Sequence, residues 1–189
     1  MKNSEFITGQ VPITKEEVRA IAINKLDLKG KKHFLDIGAG TGSVCIEVAK
    51  TYEDIEVVAI ECKVEALRLI EKNKEKFQLE NIKIVEGYAP VSLEDKMDGI
   101  FIGGTGGNLE AIIKWCHELL NEGRRVVANF IILDTFNECL RLMRQYGFVD
   151  IDATMLSVCK LEKLGKGEYF KPHNPIFLIE ATKRSEENE

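Results

Sequence analysis

Five short segments of this chain are almost continuously apolar, and between them the apolar positions recur every three or four residues. His33–Ile37, Glu56–Glu61, Ile82–Glu86, Gly99–Ile102 and Arg125–Ile131 are rich in Val, Ile and Phe, as strands covered on both faces are. Leu109, Ile112, Ile113, Cys116 and Leu120 fall at helical spacing, and Leu133, Phe136, Leu140 and Met143 repeat the stripe. Ala66, Leu67, Ile70 and Phe77 do so more weakly. Strand alternating with helix predicts right-handed crossovers, hence an α/β, Rossmann-like sheet, mostly parallel, with helices on both faces. The last third changes rhythm. Phe148–Val158 and Ile176–Ala181 read as two strands with only a polar, glycine-bearing loop between them, which predicts an antiparallel C-terminal hairpin. Ahead of the first strand, Thr14 and Glu17 have the spacing of a capping box for a helix carrying Val18, Ile21, Ala22 and Leu26.

A chain of 189 residues has the size of one domain, so residues 1–189 are read as a single unit with a polar, frayed tail at 184–189. Hydrophobic residues at 44% and charged residues at 30% exclude a disordered or fibrous chain. No apolar run is long enough to span a membrane, and the polar opening Met1-Lys-Asn-Ser-Glu is no secretory leader, so a cytoplasmic protein is expected. The net charge of −5 disfavours a dedicated nucleic-acid binder. Cys45, Cys62, Cys116, Cys139 and Cys159 are widely spaced, fitting neither a disulfide framework nor a metal site, and are read as small buried hydrophobes. His33 and His117 are read as structural.

The most informative stretch follows the first strand. Asp36 and Ile37 lead into Gly38, Ala39, Gly40, Thr41 and Gly42, and a helix begins just beyond. Glycines there admit tight turns and let a ligand approach the backbone, and a helix start offers unpaired N–H groups. Gly42 is followed by Ser43 and Val44, so the Lys and Ser/Thr of a P-loop are missing, and Ser43 stands where a dinucleotide fingerprint needs glycine. The acid followed by G-x-G-x-G resembles motif I of the class I S-adenosylmethionine (SAM) methyltransferases. That resemblance places Asp36 near the ligand's amino group and the loop around its methionine and ribose. Glu61, at the tip of the next strand, is placed to accept ribose hydroxyls; the alternative is a plain helix-start role. Tyr88 and Ala89 close the third strand where this fold borders the adenine. Tyr88 stands in place of the usual Asp or Asn, which leaves backbone groups to meet the base.

After the fourth strand, Gly103, Gly104, Thr105, Gly106 and Gly107 form a second open loop at the carboxyl edge of the sheet, shaped for something broad and flat. Together with Gly9-Gln-Val-Pro-Ile-Thr-Lys15, the motif I turn and Glu-Gly-Tyr-Ala-Pro90, it resembles the CbiT family, the decarboxylating cobalt-precorrin-6B methyltransferases, from about Gly9 to Ala181. The resemblance implies methyl transfer from SAM to C(15) of the corrinoid ring with loss of the C(12) acetate as carbon dioxide, in cobalamin biosynthesis. It implies SAM contacts at Thr14, Gly38 to Gly42, Glu61 and Ala89, a capping role for residues 1–30, a homotetramer, and a possible companion C(5)-methyltransferase. Thr14 thus has two candidate roles, cap and ligand contact. The substrate's carboxylates need cations; Lys15 and the loop Lys160–His173, with Lys163 and Lys166, are the candidates, that loop being either a mobile lid or a solvated surface. Asn129, polar in an apolar strand, must find a partner if buried, and is a candidate for the substrate cleft. No catalytic acid or base is assigned. The competing readings are a class I methyltransferase for another small molecule or RNA, a non-catalytic SAM- or nucleotide-binding subunit, and a nicotinamide-dependent oxidoreductase.

Overall fold

The computed structural model describes residues 1–185. Its elements run α1 (Glu16–Leu26), β1 (His33–Ile37), α2 (Ser43–Thr51), β2 (Glu56–Glu61), α3 (Val64–Lys76), β3 (Ile82–Glu86), β4 (Met97–Ile102), α4 (Leu109–Leu119), β5 (Leu120–Phe130), α5 (Leu133–Gln145), β6 (Phe148–Leu156), β7 (Cys159–Leu164), β8 (Gly167–Pro172) and β9 (Ile176–Lys183). The predicted first three strands coincide with β1, β2 and β3. β5 begins earlier than predicted, because Leu120 leaves α4 directly into the sheet opposite Met97 and the polar residues that follow are exposed or half-buried. Of the predicted tail, residues 186–189 lie outside the described residues.

Seven strands form one sheet in the order β3-β2-β1-β4-β5-β9-β6. The first five in sequence are parallel, and β9 inserts antiparallel between β5 and β6. Successive side chains on a strand point to opposite faces, so Phe34 joins the core under α1, α2 and α3, whereas Leu35 joins the core under α4 and α5. The predicted antiparallel pairing of the late strands is therefore present. The strand order reverses beside β1, with β2 on one side and β4 on the other. At such a switch point the loops leaving the two strands diverge and open a crevice.

Two expectations are corrected. Thr14 and Glu17 form no capping box: α1 starts at Glu16 after Lys15, without a side-chain cap. The Thr14 carbonyl accepts a hydrogen bond from Arg19 Nη1 at 2.7 Å, and Glu17 accepts one from Lys160. The loop 160–173 is not irregular either. It is the antiparallel hairpin of β7 and β8, a separate two-stranded sheet. Its sequence hides this because the hairpin faces solvent on both sides, so no alternation of buried and exposed positions marks it.

Candidate functional site

The glycine turn after β1 takes its shape from left-handed backbone. Gly38, Gly40 and Gly42 have φ of 70°, 59° and 78°, a region that L side chains occupy only at a cost. Gly38 has a second constraint: a Cβ on it would lie 2.7 Å from the backbone nitrogen of Gly104. The two glycine loops, leaving β1 and β4, therefore touch backbone to backbone at the switch point. The loop after β4 owes part of its glycine content to this packing.

Three contiguous cavities surround the contact. One, of about 290 Å³, lies on the β2 side, bounded by Glu61, Cys62, Lys63, Tyr88, Ala89 and the two glycine loops. A second, of about 210 Å³, lies on the α1 side, bounded by Thr14, Lys15, Asp36, Ala39, Thr41 and Asn129. Gly38, Gly40, Gly103 and Pro12 line both, so the two are lobes of one cleft bent around the turn. A third, open chamber of about 220 Å³ meets both lobes at Gly103 and continues outward along Thr105, Asn129, Ile131, Ile132 and Thr135.

In the β2-side lobe, Glu61 is buried and its carboxylate organises both ends of the turn. Oε2 accepts the Gly40 N–H at 2.8 Å, and Oε1 accepts the N–H groups of Cys62 and Lys63 at 2.8 and 2.9 Å. Glu61 thus does order the chain entering α3. The Cys62 thiol also donates to Oε1, at 3.6 Å, which saturates that oxygen; Oε2 uses one of its two lone pairs, so capacity remains there for a hydroxyl donor in the lobe. Ala89 is buried, and its carbonyl accepts from Asn108 Nδ2 at 3.3 Å, which ties this loop to the start of α4. Tyr88 is 69% exposed; its hydrogen bond with Cys62 raises the phenol pKa, and its ring packs over Gly106.

The α1-side lobe is rich in unmet acceptors. Asp36 Oδ2 accepts the Cys45 N–H at 3.0 Å, but Oδ1 is buried without a partner. Thr41 Oγ1 and Asn129 Oδ1 are also buried and unpartnered. Among the described residues five such side-chain atoms occur, and these three line one lobe. Unpaired buried polar atoms cost about 1–3 kcal/mol each, so this lobe is built for a donor that the chain does not supply. Burial pushes the Asp36 carboxyl up to about 7, with the charge of Glu61 adding to it; a cation in the lobe would restore the carboxylate.

A strap of chain, residues 7–14, closes the cleft. Val11 and Pro12 pass over Gly40, and two buried side chains clamp the strap's ends. Asn73 exchanges hydrogen bonds with the backbone of Ile7 at 2.7 and 2.9 Å and donates to the Thr41 carbonyl at 3.1 Å. Arg19 holds Thr14 from the other end. Neither clamp was predicted. Their one trace in the sequence is a polar residue on an otherwise apolar helix face, Arg19 beside Val18 and Ala22, and Asn73 beside Leu69 and Ile70.

The cleft therefore gathers Thr14, Asp36, Gly38 to Thr41, Glu61, Tyr88 and Ala89 around one turn, with Lys15, Gly103 to Gly106 and Asn129 at its walls; Gly42, which packs against Ile46 and Ile70, and Gly107 line none of the three cavities. Lys15 Nζ donates to the Asn174 carbonyl at 3.0 Å. Lys163 and Lys166 stand on the exposed hairpin and line none of the three cavities. Cys45, Cys116 and Cys139 are buried, whereas Cys159 is exposed and Cys62 half-exposed, against the expectation that all five are core residues. His33 sits 3.9 Å from Glu56, and His117 packs edge-on against Phe148, at 5.1 Å between ring centroids; neither approaches the cleft. Among the described residues no cluster of potential metal ligands occurs.

Comparison with known proteins agrees with this geometry. A family profile for the precorrin methyltransferase domain matches residues 6–183. A cobalt-precorrin-6B C(15)-methyltransferase (decarboxylating) from Salmonella typhimurium is 43% identical over 100% of this chain and 97% of its own. A probable cobalt-precorrin-6B C(15)-methyltransferase from Saccharolobus solfataricus is 37% identical over 92% and 90%. The crystal structure of a precorrin-6Y C5,15-methyltransferase from Geobacter metallireducens superposes with a TM-score of 0.90 at 34% identity, covering 97% of both chains. With glycine loops meeting at the switch point, a fold that superposes on a family member and relatives aligned from end to end, this chain belongs to the precorrin methyltransferase family.

Proposed function

We propose that this protein methylates C(15) of cobalt-precorrin-6B from SAM and releases the C(12) acetate as carbon dioxide, a step of cobalamin biosynthesis. The observation that carries the cofactor side is the α1-side lobe, where the unpartnered Oδ1 of Asp36, Oγ1 of Thr41 and Oδ1 of Asn129 converge. Three acceptors suit the α-ammonium of the methionine moiety, and Asp36 supplies its counter-charge once ionised. Thr14 and the turn from Gly38 to Gly42 enclose that moiety, Glu61 accepts from the ribose, and Tyr88 and Ala89 border the adenine.

SAM supplies an electrophilic methyl group whose displacement is in-line, so the protein's share is proximity and orientation. The chain's residues suit that division of labour. Titratable side chains line the two cofactor lobes, while the outer chamber has none. The conjugated macrocycle serves as electron sink, and no nucleophilic side chain is required. Lys15 at the cleft wall, and Lys163 and Lys166 on the hairpin, meet the ring's peripheral carboxylates. Glutamate at both hairpin lysines raises the substrate KM while leaving cofactor binding intact; an unaltered KM removes them from the substrate site.

In the same proposal the chain is one catalytic domain working in the cytoplasm as a homotetramer, beside a companion enzyme that methylates C(5). The hairpin supports the assembly. Leu161 and Phe170 pair across it on one face and are 56% and 68% exposed, an apolar surface suited to a second copy. The cofactor assignment is tested by titrating the protein with S-adenosylhomocysteine alongside Asp36→Asn and Thr41→Val. Micromolar binding that weakens about tenfold or more in Asp36→Asn supports it, since charge-assisted hydrogen bonds exceed about 1.5 kcal/mol. Equal binding in all three proteins removes it.

A further inference from the structure

The outer chamber has a composition that recognition of a polyanionic substrate does not explain. It is lined by Thr105, Asn129, Phe130, Ile131, Ile132 and Thr135 together with Gly103 and Gly104, and contains no charged side chain. The lysines of the adjoining lobes do not line it. Lys15 lines the α1-side lobe with its ammonium on the Asn174 carbonyl, and Lys63 lines the β2-side lobe. Around the mouth, Ile131, Ile132 and Leu133 present consecutive apolar side chains to solvent. A site meant to hold a carboxylate ends in Arg or Lys; this one ends in aliphatic groups and hydroxyls.

We propose that this chamber receives the carboxylate arm that is lost, and that it promotes decarboxylation by giving that arm neither a cation nor bulk water. The inference rests on reading the chain as a decarboxylating methyltransferase. The physical reason is charge dispersal. Before the step, negative charge is concentrated on one carboxylate; as the C–CO2 bond breaks, its electron pair spreads into the conjugated ring. A cation or a full hydration shell stabilises the concentrated charge more than the dispersed one, so both slow the step, and their removal speeds it. Carbon dioxide then leaves, and once the macrocycle lifts from the chamber the methylene carbon takes a proton from the returning solvent to become a methyl group.

The placement suits the order of groups on the substrate. The chamber shares Gly103 with both cofactor lobes and Asn129 with the α1-side lobe, so one edge of the macrocycle meets the methyl donor and the chamber together. C(12) lies in the pyrrole-derived ring that the C(15) bridge leaves, so both reacting positions belong to that edge. Laid on the Ile131–Leu133 ledge, the macrocycle itself covers the chamber's mouth and excludes solvent.

The test places a cation in the chamber. Thr135→Lys and wild type are given SAM and cobalt-precorrin-6B, and products are separated by mass into the methylated ring that retains the acetate and the methylated ring that has lost it. Asn137→Lys, on the exposed side of α5, controls for added charge outside the chamber. The expected result is accumulation of the methylated, undecarboxylated product in Thr135→Lys alone, with its share of product raised at least about tenfold, equivalent to about 1.4 kcal/mol on one step. Carbon dioxide loss at the wild-type ratio overturns the proposal, and so does loss of both steps together, which would mark the chamber as a binding surface only. If Thr135→Lys fails to fold or to bind S-adenosylhomocysteine, Ile132→Lys at the exposed rim is judged by the same criteria. A wild-type protein that binds S-adenosylhomocysteine but changes this substrate in neither way refutes the functional reading itself, a different result from a wild type that does both while the variants do not differ.

Discussion

Replacing Arg19 with methionine removes the anchor of the strap without changing any group that touches the cleft directly. The Arg19 side chain is fully buried, 0% exposed. Its Nε donates to Glu47 Oε2 at 2.5 Å, Nη1 to Asn3 Oδ1 and to the Thr14 carbonyl at 2.7 Å each, and Nη2 to the Met1 carbonyl at 2.7 Å. The guanidinium also lies 5.0 Å from the centre of the Phe6 ring. Removing one member of a buried ion pair costs about 3–5 kcal/mol. Here Glu47 keeps the Met1 ammonium at 2.8 Å, so the lower figure applies. Counting instead the three orphaned neutral acceptors, at about 1 kcal/mol each, gives the same size, about 3 kcal/mol. At roughly 2–4 °C per kcal/mol for a protein of this size, Tm falls by about 6–12 °C. The functional consequence is separate. Thr14 lines the α1-side lobe, and its carbonyl loses the bond that fixes it, so S-adenosylhomocysteine binds more weakly even well below the new Tm. Arg19→Lys keeps a charge but not the fork and falls between the two. Thermal unfolding by circular dichroism and isothermal titration at low temperature measure the two effects. A Tm within about 2 °C of wild type, or unchanged affinity in a destabilised variant, refutes the view that Arg19 organises the strap.

Gly38→Ala and Gly107→Ala separate backbone strain from contact. Both glycines have positive φ, but a Cβ at Gly107 meets nothing, whereas one at Gly38 strikes the Gly104 backbone. Gly107→Ala costs about 1–2 kcal/mol and leaves S-adenosylhomocysteine binding intact; Gly38→Ala costs more and abolishes binding, and equal behaviour of the two by calorimetry counts against the loop contact. Asp36 makes binding depend on pH. A ligand ammonium requires the carboxylate, so affinity falls as pH drops below about 7, approaching tenfold per unit, and Asp36→Asn binds weakly with a flat profile over that range. Stability of the unliganded protein carries the opposite sign. Between the ordinary carboxyl value of 3.8 and about 7 the folded state holds a proton on Asp36 that the unfolded state has released, so this group's contribution declines as pH rises through that window; urea titrations of wild type and Asp36→Asn at pH 5 and 8 read the difference. Leu161→Ser with Phe170→Ser reduces the oligomer measured by light scattering without lowering Tm of the subunit, and an unchanged mass shows that the hairpin face is not the interface.

The centre of the sheet was legible because its strands are buried on both faces. Val57 to Ile60 and Ile100 to Ile102 leave almost no alternative to a parallel core strand, and the turn from Asp36 to Gly42 then fixes where a ligand enters. What stayed hidden lacks a periodic signal. The β7–β8 hairpin exposes both faces, so Lys160, Glu162 and Lys163 read as loop. Thr14 and Glu17 had the spacing of a capping box, yet Arg19 and Lys160 draw them into other contacts across the fold. Arg19 and Asn73 work through partners distant in sequence, Asn73 bonding Ile7 and Thr41, and a lone charged or amide residue on an apolar face does not say which segment it will hold. Gly103 and Gly104 suggest room for substrate, yet a Cβ at Gly103 would lie 3.1 Å from the Gly38 carbonyl oxygen, so part of that loop's glycine content serves the contact between the two turns.

The central claim, that this cleft carries SAM and a precorrin together, is tested most directly by incubating the purified protein with methyl-13C-labelled SAM and cobalt-precorrin-6B and following the product by NMR and mass spectrometry. The account predicts one labelled methyl group at C(15) and loss of one carboxyl group as carbon dioxide, with both signals absent in Asp36→Asn held under a weakly saturating cofactor concentration. Label transferred to another position, or no transfer by a protein that binds S-adenosylhomocysteine normally, contradicts it.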